Sequence, residues 1–184
     1  METAEQTLAD LGICFLFAQK YHPALGPLAP IRKAIGRRTI FNLTGPAANP
    51  AGVKRQLIGV ARPDFMPVYA GALELLGYDD AMLVAGDEPL DELSISGPSS
   101  WIRLGHAVER IEPEAVGLQR HPVEALKGGD PAYNAAALTR LLDGAHGAYR
   151  DAVLFNAAAA LMVAGHANSW QEGIEDAAEA IDKG

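Results

Sequence analysis

The sequence contains a single cysteine, Cys14, among its 184 residues. An internal disulfide needs two cysteines, and a thiolate zinc site needs several, so both are excluded. No positively charged start followed by an apolar core indicates a secretory signal. The longest apolar stretch, Ala152–Val163, is interrupted by Asn156 and is too short to cross a bilayer. These observations predict a cytoplasmic protein with no membrane partner.

Several common catalytic motifs are also missing. The sequence contains no G-x-x-x-x-G-K-[ST], no G-x-G-x-x-G after a strand pattern, no H-E-x-x-H and no G-x-S-x-G. The formal net charge of −8 disfavours nucleic acid as a partner, because it repels phosphate. The charge is uneven, with eight basic and four acidic side chains in residues 1–65 and seven against nineteen in the rest. This asymmetry suits an anion site beside a cation site, although ordinary solvation of helix faces also explains it.

Apolar runs alternate with helix start and stop signals along the chain. The predicted strands are Ile13–Phe17, Gln56–Val60, Ala81–Ala85 and a hairpin of Trp101–Leu104 with Ala107–Ile111. Strand, helix and strand over residues 56–85 are typical of a parallel βαβ unit. Further helices are predicted over residues 24–36, 130–142, 151–164 and from residue 169 onward. The sequence therefore predicts an α/β fold with a mainly parallel sheet flanked by helices.

An acidic group and a basic group are the candidate binding residues. Asp87, Glu88, Asp91 and Glu92 follow the strand at 81–85, and their carboxylates are hard oxygen ligands of the kind that Mg²⁺ prefers. A solvated acidic loop is the alternative. The run at 32–38 carries arginines whose planar fork matches a carboxylate or a phosphate, or that form a plain basic helix.

A series of motifs in fixed order goes beyond these local patterns. It consists of Gly12–Ala18, His22–Ala24, Pro30–Lys33, Arg38–Pro46, Asn49–Ala51, Gln56–Val60, Gly86–Ser94, Gly128–Asp130 and Asp151–Ala157. Together these motifs cover essentially the whole chain and resemble anthranilate phosphoribosyltransferases, although no single one is specific. Gln19 stands where members of that family often carry proline.

The resemblance implies an activity and a set of site residues. Enzymes of that family transfer phosphoribosyl from phosphoribosyl pyrophosphate to anthranilate in tryptophan biosynthesis, with Mg²⁺ neutralising the leaving pyrophosphate. By resemblance, Asp91 and Glu92 are the metal-associated carboxylates and Arg32 contacts the anthranilate carboxylate. His22 and Gly45 would line the anthranilate channel. The resemblance assigns no further catalytic residue.

The resemblance also implies a division of the chain. Residues 1–23 would start the α/β domain, 24–50 would be the remnant of a small helical domain, and 51–184 would form the α/β glycosyltransferase-type domain. The helical region and the Gly-Thr-Gly-Gly-Asp loop that members carry upstream are absent from this sequence. We therefore expect an inactive fragment of an enzyme that is homo-oligomeric at full length. We also expect an exposed apolar patch, formed by Ile31, Ile35, Ile40, Phe41 and Leu43.

The sequence leaves three other hypotheses open. One is a relative of the pyrimidine-nucleoside phosphorylases, which the motifs at 41–46 and 90–92 disfavour. Another is a non-catalytic relative of the same fold that binds nucleic acid, which the net charge disfavours. The third is a truncated reading frame.

Overall fold

The computed structural model describes residues 2–37, 45–88 and 90–183, and the chain divides into two compact units, Met1–Val53 and Lys54–Gly184. The first unit contains helices α1 (Glu2–Leu11), α2 (Ala18–Tyr21) and α3 (Ala29–Ile35), with a 3₁₀ helix over Pro23–Leu28. Gly36 ends α3 at a φ of 64°, and its N–H donates to the Arg32 carbonyl. Such a left-handed residue after the last turn is what glycine adopts without strain. The helical segment expected over 24–36 is confirmed.

The expected strand over Ile13–Phe17 is wrong. This segment has no regular secondary structure and joins α1 to α2. Its large side chains are exposed, Ile13 at 70% and Phe15 at 82%. A strand needs a neighbour to take its backbone hydrogen bonds, and no strand of the described chain pairs with this segment. An apolar run predicts burial, but it does not supply the partner.

The expected apolar patch falls only partly within the described residues. Ile31 and Ile35 are exposed, at 55% and 48%. Ile40, Phe41 and Leu43 lie outside the residues that the structure describes. The exposed part of the patch is therefore confirmed at α3, and Ile13 and Phe15 add exposed apolar surface to the same unit.

The second unit is built on a four-stranded sheet in the order β1-β2-β3-β4. The strands are β1 (Arg55–Gly59), β2 (Asp80–Gly86), β3 (Ser99–Arg103) and β4 (Glu109–Ile111). β1 and β2 are parallel, with Leu57 opposite Met82. They are joined by a 3₁₀ turn at Pro63–Phe65 and helix α4 (Met66–Leu75), which makes the predicted βαβ unit.

The sheet is mixed, which corrects the expected mainly parallel arrangement. β2 pairs with β3 antiparallel, and β3 pairs with β4 antiparallel in the predicted hairpin. A parallel connection needs a crossover, usually a helix, whereas residues 87, 88 and 90–98, the described part of the connection between β2 and β3, contain no helix. β2 is buried along Ala81–Gly86, so its continuous apolar run resembled a strand of a parallel sheet. The α/β class itself is confirmed.

Three helices complete the second unit: α5 (Pro131–Leu142), α6 (Ala148–Ala164) and α7 (Trp170–Lys183). The Asp130 side chain caps α5 by accepting from the Tyr133 N–H at 2.8 Å. α6 packs against β1, β2 and α7, and its buried Phe155 joins Met82 and Val84 in the main core cluster. α4 packs against β2 and β3 and buries Met66, Ala70 and Leu73. The packing of α4 and α6 against β2 holds this strand in place, and with it the edge of the sheet at which β2 ends.

Not one of the described helices has both the length and the apolar character that a bilayer span needs.

Candidate functional site

The loop after β2 carries the predicted acidic residues, and the structure gives its members separate roles. Asp87 forms an ion pair with Arg110 of β4, which also donates to the Ser100 hydroxyl at 2.9 Å. The hydrogen bond from Arg110 lowers the pKa of Asp87 below its usual value. Asp87 therefore ties the start of the loop to the far strand of the sheet.

The Glu88 side chain lies over the backbone of Gly86 and Gly97. A Cβ at Gly97 would lie 3.2 Å from one Glu88 carboxylate oxygen, and a Cβ at Gly86 would lie 3.3 Å from the other. The second oxygen, Oε2, is buried and has no hydrogen-bond partner in the described part of the chain. The Glu88 side chain thus packs against backbone, in contrast to the exposed acids that follow it.

Asp91 and Glu92 stay exposed and act on each other. Although the residue as a whole is exposed, partial desolvation of its carboxyl group raises the pKa of Glu92 above its usual value, and the charge of the neighbouring Asp91 raises that pKa further. A proton or a cation relieves this repulsion between two carboxylates. Across residues 2–37, 45–88 and 90–183 no three His, Cys, Asp or Glu side chains are grouped to hold a metal ion. Mg²⁺ commonly takes only one or two protein carboxylates, with waters and substrate phosphates, so these two residues fit that ion.

The backbone that carries the two acids is held on both sides. The carbonyl oxygen of Asp91 lies so close to β1 that a Cβ at Gly59 would collide with it. On the other side, the Leu93 N–H donates to the Asn156 Oδ1 at 2.9 Å. The Ser94 N–H donates to the Ser99 hydroxyl at 2.8 Å.

The sequence predicts no role for Gly59 or Asn156. Both contacts join segments that are far apart in sequence, so no local pattern predicts them. Asn156 did leave one signal, because it is the polar residue that interrupts the apolar run of α6.

The residues predicted for the aromatic substrate all lie in the first unit. Arg32 is half-buried on α3, one turn before the helix ends at Ile35. His22 is half-buried immediately before the 3₁₀ helix, and its carbonyl accepts from the Leu25 N–H at 2.9 Å. Gly45 is exposed, and its carbonyl accepts from the Ala48 N–H at 3.2 Å. Asp91 and Glu92 belong to the second unit, where the structure brings them side by side.

Comparison with protein families matches the whole chain. A family model described as "Glycosyl transferase family, a/b domain" matches residues 1–184. A protein of Novosphingobium aromaticivorans named anthranilate phosphoribosyltransferase is 59% identical over 186 residues, which cover 100% of this chain and 56% of the relative. The chain spans about half the length of the curated relatives that it matches.

Solved structures give the same match. The crystal structure of anthranilate phosphoribosyltransferase from Thermus thermophilus has a TM-score of 0.91 and 42% identity, covering 97% of this chain and 54% of that one. The enzyme of Saccharomyces cerevisiae in complex with PRPP and Mg has a TM-score of 0.84 and 30% identity, covering 97% and 52%. By its sequence over residues 1–184, the chain belongs to the glycosyl transferase family, in its a/b domain.

Proposed function

We propose that this chain is part of a cytoplasmic anthranilate phosphoribosyltransferase that acts in tryptophan biosynthesis. The observation that carries the proposal is 59% identity, over the whole chain, to a relative that bears this name. The match of 97% of the chain to an enzyme solved with PRPP and Mg supports the same substrate class and Mg²⁺. Since the chain spans about half of these relatives, the transfer reaction belongs to the longer protein, as does its homo-oligomeric assembly.

The proposed roles follow the chemistry of the side chains. Arg32 presents a planar guanidinium, which binds the carboxylate of anthranilate through two parallel hydrogen bonds. His22 and Gly45 would line the channel through which this flat substrate enters. The predicted domains at 1–23, 24–50 and 51–184 remain part of the proposal.

Asp91 and Glu92 are the proposed ligands of Mg²⁺. When bound, that ion neutralises the charge that develops on the departing pyrophosphate. The two carboxylates hold it at the loop after β2, where strands of an α/β sheet commonly present ligands. Alone, they would repel the substrate's phosphates, so activity should depend strongly on the divalent cation.

A chimera tests the proposal directly. In it, this chain replaces the matching 56% of the Novosphingobium aromaticivorans relative, which keeps the remaining part of its own sequence. We expect Mg²⁺-dependent transfer from PRPP to anthranilate in the chimera and none in the isolated chain. A folded chimera without transfer would contradict the proposal.

The same chimera separates the alternatives that the sequence left open. Phosphorolysis of pyrimidine nucleosides without transfer would identify a nucleoside phosphorylase relative. Salt-sensitive binding to DNA without either activity would identify a nucleic-acid-binding relative.

A further inference from the structure

The side chain of Asn156 joins α6 to the loop that carries Asp91 and Glu92 through two hydrogen bonds to Leu93. Its Oδ1 accepts from the Leu93 N–H at 2.9 Å, and its Nδ2 donates to the Leu93 carbonyl at 3.0 Å. The second N–H of the amide donates to the Ala152 carbonyl, one turn earlier on α6, at 2.9 Å. This third bond fixes the plane of the carboxamide, so both backbone groups of Leu93 face a preset partner.

Leu93 is the residue that directly follows the acidic pair, and its own side chain is buried in the core with Phe155. On the other side of the pair, the Asp91 carbonyl packs against Gly59 at the end of β1. The backbone of residues 91–93 is therefore anchored at both ends to regular secondary structure.

We propose that Asn156 is a positioning residue, which holds the loop so that Asp91 and Glu92 stay together to receive a divalent cation. This inference rests on the proposed function, in which these two carboxylates hold Mg²⁺. Two neighbouring carboxylates repel each other when no cation is bound. A loosely held loop would separate them and would have to be ordered again when the ion binds. For this reason, substitution of a residue that orients metal ligands without touching the metal often weakens metal affinity strongly.

Binding of Mn²⁺, a spectroscopic substitute for Mg²⁺, tests the inference on the 184-residue chain itself. Free Mn²⁺ is measured by electron paramagnetic resonance in titrations of the wild type, Asn156→Ala and Asp91→Asn. We expect Asn156→Ala to weaken Mn²⁺ binding roughly tenfold. Hydrogen exchange at the Leu93 amide should accelerate in the same variant, because its acceptor is removed.

Met162→Ala is the matched control. Met162 is buried further along α6 and belongs to the same core cluster, so its truncation also destabilises the unit. It makes no side-chain hydrogen bond to the loop among those the structure describes, and we expect Mn²⁺ affinity within about twofold of wild type, near the limit set for independent sites. Asn156→Leu, which keeps the branched shape and loses the hydrogen bonds, replaces Asn156→Ala if the alanine variant does not fold.

The outcomes separate this inference from the proposed function. If Asp91→Asn weakens Mn²⁺ binding while both Asn156 variants bind as the wild type does, the positioning role is wrong and the metal site stands. Equal weakening by Met162→Ala and Asn156→Ala would also overturn the positioning role. If the wild type does not bind Mn²⁺, or if Asp91→Asn has no effect, the metal role of the pair is wrong and the inference falls with it.

Discussion

At the scale of single residues, the role of a charged side chain depends on the groups that surround it. Arg103 donates to both oxygens of Asp80 and to the Met162 carbonyl, so it ties β3 to β2 and to α6. Arg32, in contrast, stands on a short helix of the other unit, where the proposal gives it a ligand. The sequence alone does not separate an arginine that stabilises the fold from one proposed to bind a ligand, because both look alike there.

Arg32→Ala in the chimera should raise the KM for anthranilate and leave the KM for PRPP nearly unchanged. The loss of a charged hydrogen-bonding partner is worth about 2 kcal/mol, or roughly thirtyfold in KM. Arg32→Lys should recover only part of the loss, because lysine cannot form the paired contact. Steady-state kinetics with each substrate varied in turn measures both effects.

Lys33→Ala is the control for Arg32, since Lys33 is the next residue of the same helix and is exposed. It should leave both KM values unchanged. An equal rise for both substrates in Arg32→Ala would remove Arg32 from the anthranilate site.

The ion pair of Asp87 with Arg110 should make a small, pH-dependent contribution to stability. The pKa of Asp87 is lower in the folded chain than its unfolded value of about 3.9, so the pair stabilises fully above that value. The contribution is lost as pH falls through the lowered folded pKa. Both side chains are about half exposed, so we expect less than about 1 kcal/mol, reduced further by salt.

Urea unfolding of the wild type and Arg110→Gln between pH 7 and pH 2 measures this contribution. The difference between the two should be constant above about pH 4 and shrink below it. Part of it should persist at low pH, because Arg110 also donates to the Ser100 hydroxyl. A difference that grows on acidification would contradict the role of the pair.

At the scale of secondary-structure elements, close packing decides what a residue can be. α6 and α7 approach so tightly that a Cβ at Gly173 would lie 2.9 Å from the Ala158 Cα. Gly71, inside α4, has nothing within 4 Å of the place where a Cβ would stand. These two glycines sit in similar helices but in opposite surroundings.

Substitution of these glycines by alanine should therefore have opposite effects on the free energy of unfolding. Gly173→Ala should lower it by roughly 1–3 kcal/mol, because the helices must move apart. Gly71→Ala should raise it by about 0.5–1 kcal/mol, because alanine loses less backbone freedom in a helix. Chemical denaturation, analysed with one dependence of the free energy of unfolding on denaturant concentration for all variants, gives both differences in stability. If both substitutions shift stability in the same direction, the packing of α6 on α7 is not as tight as the structure shows.

At the scale of the whole molecule, apolar surface is distributed unequally between the two units. The second unit has an extensive buried core on both faces of β2. The first unit exposes several large side chains: Leu11, Ile13, Phe15, Ile31 and Ile35. Exposed apolar side chains, where they lie together, favour association with other surfaces.

The isolated chain should therefore bind an apolar dye such as 1-anilinonaphthalene sulfonate and self-associate at micromolar concentration. Phe15→Ser should reduce both effects, since Phe15 is among the most exposed of these side chains. Leu75→Ser is the control, because Leu75 is a highly exposed apolar residue of the second unit. Fluorescence titration and sedimentation velocity provide the measurements. A monomeric wild type with no dye binding would contradict the expectation.

Local signals in the sequence predicted most of the elements of the second unit. Asp130 before Pro131 predicted the start of α5, and the apolar run of Ala81–Ala85 predicted β2. Capping and side-chain periodicity depend on residues within a few positions of each other, so a single sequence contains them. The strand predicted over Ile13–Phe17 was wrong because a strand needs a neighbouring strand to pair with, and the local sequence does not show whether one is available.

The sequence alone determined the α/β class, the hairpin and the pairing of two adjacent acids after β2, all of which depend on neighbours along the chain. Only the tertiary structure decided that the sheet is mixed, that Asp87 pairs with Arg110, and that Asn156 and Gly59 hold the loop of Asp91 and Glu92. These are contacts between distant segments, and they form only when the chain buries its apolar surface and must satisfy each backbone group that it removes from water.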